Sequence, residues 1–185
     1  MIIGPMFSGK STELIRHIRM MKVLKKDYLV VTHSLDTRYD TDHVVSHNMD
    51  KEKCVSCNRL MSLLNSQNHN IDQVETVFVE EGQFFEDIVD FVYEIVENLN
   101  KHLVIAYLTS DFNRRPFPHL GQLIALSDNV IQLSALCMKC RDGTQAPFTY
   151  CRTQDAAGYG NILVGSNDVY ESVCRKHYRT LHGLV

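Results

Sequence analysis

The sequence has no long hydrophobic run, no internal repeat and no low-complexity tract. Its longest apolar segments, such as residues 103–108, fall far short of the ~20 residues that an α-helix needs to span a bilayer. No positively charged and then apolar signal segment opens the chain. We therefore expect a soluble, cytoplasmic protein that does not bind a membrane.

An excess of basic residues is also missing. The chain has 19 Lys and Arg against 22 Asp and Glu, which gives a formal net charge of -3. Nucleic-acid-binding proteins usually carry a basic patch or stripe, so this balance favours a small-molecule partner over a nucleic acid. A length of 185 residues suits one moderate α/β domain with a small appended module and leaves no room for a second large domain.

The most specific motif stands near the start of the sequence, where residues 4–11 match G-x-x-x-x-G-K-[ST]. The glycines allow backbone N–H groups to surround an anion, Lys10 can contact the outer phosphates, and the Ser11 hydroxyl can ligate Mg²⁺. A chance glycine-rich turn is the alternative, but the helical pattern that begins at Thr12 argues against it. We expect ATP or GTP as the ligand. The predicted phosphate-binding residues are Gly4, Pro5, Met6, Phe7, Ser8, Gly9, Lys10, Ser11 and Thr12.

Hydrophobic periodicity indicates alternating strands and helices. The predicted helices cover residues 11–25, 88–99 and 121–126, and the predicted strands cover residues 28–31, 74–79, 103–108 and 130–133. Only three residues precede the phosphate loop, so the first strand is either unusually short or continues upstream of this sequence. The polar residues 40–70 are expected to form a long loop with helical pieces. Strands separated by helices predict an α/β fold with a parallel sheet covered on both faces.

Two adjacent carboxylates, Glu80 and Glu81, end the predicted strand over residues 74–79. In enzymes with a phosphate loop, the carboxyl ends of the strands face the triphosphate. Consecutive residues of an extended strand point to opposite sides, so one carboxylate can address a metal ion while the other reaches the phosphate acceptor. A solvated strand end is the simpler alternative, and the phosphate loop in the same chain makes it less favoured.

Cysteine spacing predicts a metal site. Cys137 and Cys140 form a C-x₂-C pair, and Cys174 and His177 form a C-x₂-H pair. Two such pairs can supply the four ligands of a closed, structural Zn²⁺ site.

A third C-x₂-C pair, Cys54 and Cys57, competes for this assignment. It has no partner pair nearby in the sequence, so we expect ordinary thiols there. Cys151 stands alone between the two pairs of the predicted zinc site and is also expected to be structural.

Taken together and in order, these motifs resemble the zinc-containing, type II thymidine kinases of cells and poxviruses. The segments that carry the resemblance are residues 4–14 (GPMFSGKSTEL), 36–39 (DTRY), 81–85 (EGQFF), 112–117 (FNRRPF), 137–140 (CMKC) and 170–174 (YESVC). The resemblance extends from Ile2 to about Tyr178. It implies a RecA-like P-loop domain over residues 1–135 and a zinc-ribbon-like lid over residues 136–185.

The resemblance also implies the activity. Members of this family transfer the γ-phosphoryl group of ATP to the 5′-hydroxyl of thymidine, giving dTMP and ADP for deoxynucleotide salvage. Mg²⁺ and a structural Zn²⁺ are the implied metals. A homotetramer and feedback inhibition by dTTP are further expectations carried by the family.

Residue roles follow from the matching motifs. Glu81 matches the catalytic carboxylate that takes the proton of the 5′-hydroxyl. The residues expected near Mg²⁺ are Ser11, Asp36 and Glu80, and those expected to neutralise phosphate charge are Arg38 and Arg114. The expected nucleoside contacts are Met6, Leu108, Phe112, Leu163, Val164, Gly165 and Tyr170. For Phe112 and Tyr170 a purely structural role as core aromatics is the alternative.

Two departures from the family pattern stand out. Glu80 occupies a position where aspartate is usual, and its extra methylene leaves open whether it contacts Mg²⁺ directly or through water. His177 stands where many relatives have cysteine, and its imidazole is an equally acceptable Zn²⁺ ligand. The alternatives to a thymidine kinase are a kinase for another pyrimidine deoxynucleoside and a non-catalytic nucleotide switch or zinc-ribbon nucleic-acid binder.

Overall fold

The computed structural model describes residues 1–35, 43–45, 51–65, 71–152 and 169–184. Five predicted site residues, Asp36, Arg38, Leu163, Val164 and Gly165, lie outside these described residues. In the described ranges the strands are β1 (Ile2–Gly4), β2 (Tyr28–His33), β3 (His43–Val45), β4 (Lys51–Lys53), β5 (Val55–Cys57), β6 (Thr76–Val79), β7 (His102–Leu108), β8 (Ile131–Gln132), β9 (Ala135–Leu136), β10 (Gln145–Ala146), β11 (Phe148–Cys151) and β12 (Tyr170–Val173). The α-helices are α1 (Lys10–Leu24), α2 (Ile88–Val92), α3 (Leu120–Ala125) and α4 (Arg175–Leu181).

Six of these strands form one parallel sheet in the order β5-β2-β6-β7-β1-β8. The predicted α/β class is therefore confirmed. Strand β1 has three residues and lies between β7 and β8. The carboxyl ends of β1, β6 and β7 consequently meet at one edge of the sheet.

Each face of the sheet is covered by a separate apolar cluster. Phe78 of β6 packs with Leu14, Ile15 and Ile18 of α1. Its neighbours Val77 and Val79 point to the opposite face and belong to a second cluster. The other buried side chains of this cluster include Ile88, Phe91, Ile95, Ile105 and Tyr107. All four residues of β6 are buried, as expected for a central parallel strand covered on both sides.

The structure differs from the sequence prediction in two regions. Residues 40–70 were expected to form a long loop with helical pieces, but within this stretch β3 pairs with β4, and β5 pairs with β2 at the edge of the main sheet. The loop prediction is therefore wrong over these three strands. Three residues are too few to show a strand period. The predicted helix over residues 88–99 is present, but after α2 it continues as a π-helix over Tyr93–Asn98.

A small second unit follows β8. Strands β9 and β10 pair antiparallel, as do β11 and β12, and α4 packs beside them. This unit has its own buried cluster, which includes Ala135, Ala146, Val173 and Tyr178. We call residues 135–152 and 169–184 the knuckle module.

None of the helices in the described part of the chain is long and apolar enough to cross a bilayer.

Gly82 marks a tight packing position directly after the two carboxylates. A Cβ atom there would lie 2.7 Å from Ile105 Cγ2 and 3.0 Å from Ile88 Cδ1. We expect Gly82→Ala to lower the free energy of unfolding by about 1–3 kcal/mol, the usual cost of overpacking a core. Urea unfolding of the purified variant measures this.

Gly121 provides a matched control, because nothing lies within 4 Å of a Cβ built on it. It lies in α3, where an alanine replaces a poor helix former. We expect Gly121→Ala to be neutral or to stabilise by up to about 1 kcal/mol. Equal losses of stability in the two variants would contradict the packing argument.

Candidate active site

The phosphate loop connects β1 to α1, and its backbone depends on two glycines. A Cβ on Gly4 would lie 2.6 Å from Ser8 Oγ and 2.7 Å from the carbonyl oxygen of Leu133. Gly9 has a φ of 86°, in the left-handed region that favours glycine. The helix α1 begins at the next residue, so its N-terminal N–H groups face the loop.

Lys10 is buried and its ammonium group lies over the loop. Lys10 Nζ donates a hydrogen bond to the carbonyl oxygen of Pro5 at 2.9 Å, and Ser8 Oγ donates to the same oxygen at 2.9 Å. One buried cation and the N-terminal end of α1 therefore lie at the same turn. This arrangement suits a polyphosphate.

Ser11 connects the loop to the end of β6. Ser11 Oγ donates a hydrogen bond to Glu80 Oε1 at 2.5 Å, and the Glu80 side chain is buried. A hydroxyl and a carboxylate at this distance supply two of the oxygen ligands that Mg²⁺ prefers beside a nucleotide. The donor set therefore fits a Mg²⁺ ion.

Glu81 follows in an unusual backbone conformation. Its φ of 53° is left-handed, which is uncommon for a residue with a side chain. A single turn of 3₁₀-helix over Gly82–Phe84 follows it. The side-chain nitrogen of Gln83, Nε2, donates a hydrogen bond to Glu81 Oε2. The side-chain oxygen of Gln83, Oε1, accepts a hydrogen bond from the backbone N–H of Leu108 at 3.1 Å.

Two aromatic side chains from distant parts of the chain meet beside this edge. The ring centroids of Phe112 and Tyr170 lie 6.3 Å apart, with an angle of 38° between their planes. Phe112 is half-buried in the turn after β7, and Tyr170 is buried at the start of β12. The structure therefore brings together these two predicted nucleoside contacts. Leu108 ends β7 on the same edge of the sheet.

Two hydrogen bonds join the knuckle module to the predicted site. The backbone N–H of Met6 in the phosphate loop donates to Thr149 Oγ1 at 3.1 Å. Tyr178 Oη donates to the carbonyl oxygen of Phe112 at 2.8 Å. Both the phosphate loop and the Phe112 turn are thus held directly by the module.

Arg114 lies in the same turn as Phe112. Its guanidinium carbon is 4.3 Å from the centroid of the Tyr178 ring and 5.6 Å from that of Phe148. The cation predicted to neutralise phosphate charge is thus engaged by aromatic rings of the knuckle module in this arrangement.

The four predicted zinc ligands converge within the module. The ligand atoms of Cys137, Cys140, Cys174 and His177 all lie within 4.8 Å of one another. His177 Nδ1 lies 3.5, 3.4 and 3.3 Å from the sulfurs of Cys137, Cys140 and Cys174, and the sulfurs of Cys140 and Cys174 are 3.9 Å apart. A tetrahedron with Zn–S near 2.3 Å and Zn–N near 2.0 Å has edges of roughly 3.5–3.8 Å. The cluster fits a structural Zn²⁺ ion.

The backbone around the cluster favours a thiolate at Cys137. Burial by itself raises the pKa of this thiol, but the backbone N–H groups of Cys174, Cys140 and Lys139 outweigh it and lower the pKa to about 6. One of these donors, the N–H of Cys174, lies 3.3 Å from the Cys137 sulfur. A deprotonated sulfur is the form that binds Zn²⁺.

The remaining cysteines lie outside this cluster. Cys54 directly precedes β5 and Cys57 is its last residue; both are half-buried, and burial raises the pKa of Cys57 to about 11. Cys151 ends β11 and pairs in register with Tyr170 of β12. Among the residues that the structure describes, the cluster around His177 is the one group of three or more His, Cys, Asp or Glu side chains that could hold a metal ion together.

The model of the thymidine kinase family matches residues 1–178, which include the phosphate loop and all four ligands of the cluster. This chain belongs to the thymidine kinase family. Proteins named thymidine kinase from vaccinia virus (strain Western Reserve) and variola virus are 38% and 37% identical to it over 178 residues. That of monkeypox virus is 37% identical over 186 residues. Each alignment covers 96% of this chain and 94% of the relative.

Membership in the thymidine kinase family makes this chain an ATP-dependent kinase with thymidine and ATP as its substrates. The resemblance inferred from the sequence is thereby confirmed. The roles of the individual site residues remain predictions, and the contacts given above apply to those that lie in the described ranges.

Three residues at this site of the thymidine kinase fold were not singled out by the sequence. Gln83 lies within a family motif, but no local pattern indicates its contact with Leu108. Thr149 and Tyr178 contact the site through single hydrogen bonds that span 143 and 66 residues of sequence. No periodicity reveals contacts of this kind.

The zinc assignment predicts the effect of removing one ligand. Cys174→Ser should lose most of the zinc that the wild-type protein holds and should unfold at a lower temperature, because structural zinc sites contribute on the order of 10 kcal/mol of folding free energy. Elemental analysis of the purified protein and thermal unfolding measure both effects.

Cys151→Ser is the matched control, since Cys151 is in the same module but outside the cluster. It should keep its zinc. Full zinc content in Cys174→Ser would assign the metal to other residues.

Proposed function

We propose that this chain transfers the γ-phosphoryl group of ATP to the 5′-hydroxyl of thymidine with Glu81 as the general base. The observation that carries this proposal is the hydrogen bond from Ser11 to Glu80, which joins the phosphate loop to the strand end that bears Glu81. In the proposed step the 5′-oxygen bonds to the γ-phosphorus, the bond from that phosphorus to the β,γ-bridging oxygen breaks, and the hydroxyl proton passes to the Glu81 carboxylate. The products are dTMP and ADP.

The phosphate end of the site is assigned to the loop over residues 4–12. Its backbone N–H groups and Lys10 hold the β- and γ-phosphates. Ser11, Glu80 and Asp36 would hold Mg²⁺, which neutralises phosphate charge when bound. Arg38 and Arg114 are the side chains expected to neutralise further phosphate charge. Phosphoryl transfer needs little covalent help from the protein, so in-line positioning and charge neutralisation supply most of the rate.

The nucleoside end is assigned to the aromatic pair and its surroundings. Phe112 packs on the thymine ring, because a flat apolar face offers a large contact area at small entropic cost. The residues that complete the binding site are Met6, Leu108, Leu163, Val164, Gly165 and Tyr170. A pocket for one methyl group discriminates by only about 1–3 kcal/mol, so rejection of cytosine requires hydrogen bonds to the edge of the base.

The proposed role of Zn²⁺ is to hold the lid in place, with no part in the chemical step. With three cysteines and one histidine the site is closed, so a Zn²⁺ ion bound there would be structural. The bound ion would anchor the proposed lid over residues 136–185, which would close over thymidine and exclude water from the phosphoryl group.

Other expectations complete the proposal. Assembly as a homotetramer and feedback inhibition by dTTP are carried over from the family, and a cytoplasmic location without a nucleic-acid partner is expected from the sequence.

Replacing the base tests the catalytic assignment. We expect Glu81→Gln to fold and to bind ATP normally while its kcat falls by about 10²–10⁴-fold, the usual contribution of general acid–base catalysis. Thymidine-dependent release of ADP measures the rate. Glu86→Gln is the matched control because Glu86 is a nearby exposed carboxylate, and it should keep its activity. A near-normal kcat in Glu81→Gln would exclude Glu81 as the base.

Loosening the Phe112 turn tests the nucleoside assignment. Tyr178→Phe removes the hydroxyl that bonds to the Phe112 carbonyl oxygen. One such hydrogen bond contributes about 0.5–1.5 kcal/mol, so we expect the KM for thymidine to rise by about two- to tenfold while the KM for ATP stays constant. Steady-state kinetics with each substrate varied in turn measures both constants.

Tyr93→Phe serves as the control because Tyr93 is an exposed tyrosine in the π-helix and is not one of the predicted site residues. It should leave both KM values unchanged. A parallel rise of both KM values in Tyr178→Phe would indicate a general loss of structure instead.

A further inference from the structure

We propose that Gln83 is a positioning residue that fixes the Glu81 carboxylate for proton transfer. This inference rests on the proposed role of Glu81 as the base and adds a residue to which the sequence assigned no function. Gln83 is buried, with 7% of its surface exposed, and lies in the 3₁₀ turn directly after Glu81.

The side-chain amide of Gln83 bridges two parts of the site. Its nitrogen donates to Glu81 Oε2, and its carbonyl oxygen accepts the backbone N–H of Leu108 at 3.1 Å. Leu108 ends β7 and is itself a predicted nucleoside contact. Gln83 therefore links the proposed base, Glu81, to the end of β7 at Leu108, which lies 25 residues from Gln83 in the sequence.

The chemistry of the partners determines the orientation of the amide. A backbone N–H can only donate, so the Gln83 oxygen must face Leu108. The amide nitrogen then faces Glu81, where it finds an ionised carboxylate that can only accept. A hydrogen bond donated to the charged form favours that form, which is the one able to take a proton.

The backbone alone leaves the carboxylate mobile. Glu81 adopts a left-handed φ of 53°, and Gly82 packs against Ile105 and Tyr107, so the main chain of the turn is held against β7. The Glu81 side chain still has three rotatable bonds between this main chain and its carboxylate. The contact with Gln83 restricts them.

A merely structural role is the competing explanation, in which Gln83 only satisfies the N–H group of Leu108. A double-mutant cycle with Gln83→Met and Glu81→Gln separates the two roles. Methionine has nearly the same shape as glutamine but cannot make either hydrogen bond. If Gln83 acts through Glu81, its replacement should matter only while the Glu81 carboxylate is present.

We expect Gln83→Met to lower kcat by about 10–100-fold, the range that misplacing a catalytic group can cost. Its KM for ATP should remain within about twofold of the wild-type value, because the phosphate loop is untouched. In the Glu81→Gln background the same change should lower kcat by less than about threefold. Thymidine-dependent ADP release measures all four proteins. Gln122→Met, at an exposed position on α3, is the matched control and should have no effect.

Two results would overturn the inference while leaving Glu81 as the base. One is an equal fold loss from Gln83→Met in both backgrounds, and the other is a wild-type kcat in folded Gln83→Met. A near-normal kcat in Glu81→Gln alone would instead overturn the proposed base, and the inference with it.

Gln83→Glu provides a second variant in case Gln83→Met does not fold. It keeps an acceptor for the Leu108 N–H but replaces the donor to Glu81 by a second carboxylate. Two adjacent carboxylates in a buried turn repel each other, so we expect Gln83→Glu to unfold at a lower temperature than the wild type and, where it is folded, to lose at least about tenfold in kcat. A wild-type kcat in this variant would also overturn the inference.

Discussion

The hydrogen bond between Ser11 and Glu80 is the contact on which the rest of the site depends. It joins the phosphate loop after β1 to the carboxyl end of β6, although β7 lies between these two strands in the sheet. Because parallel strands end at the same edge, the loop, the two carboxylates and the Phe112 turn after β7 all meet there. A phosphate donor and an alcohol acceptor can therefore be held side by side.

The knuckle module also supports this edge of the sheet, since it contacts both the phosphate loop and the turn that carries Phe112, a predicted nucleoside contact. Its strand β11 bonds to the phosphate loop through Thr149, and its helix α4 bonds to the Phe112 turn through Tyr178. Helix α4 begins directly after Cys174 and includes His177, so two of the four cluster residues sit at its start. A metal ion there would fix α4 and, through Tyr178, the turn that carries Phe112.

The parts of the site that are formed by residues close together in the sequence were predictable. The phosphate loop is one uninterrupted motif, and each pair of cluster residues has the spacing that a tetrahedral metal needs. Short elements were not predictable, as the failure over residues 55–57 shows. The three residues of β5 become a strand only because the edge of β2 is available to pair with them. Likewise, the π-helix over Tyr93–Asn98 does not alter the apolar spacing enough to be seen in the sequence.

The amino-acid sequence by itself determined the phosphate loop, the pair of carboxylates, the metal-binding pattern and the family. All of these are encoded in short segments or in their order along the chain. Only the tertiary structure decided that Gln83 meets Leu108, that Tyr178 meets the Phe112 turn and that Phe112 meets Tyr170. These contacts join residues 25 to 66 positions apart, and they exist because of the order of the strands and the docking of the module, which no local spacing encodes.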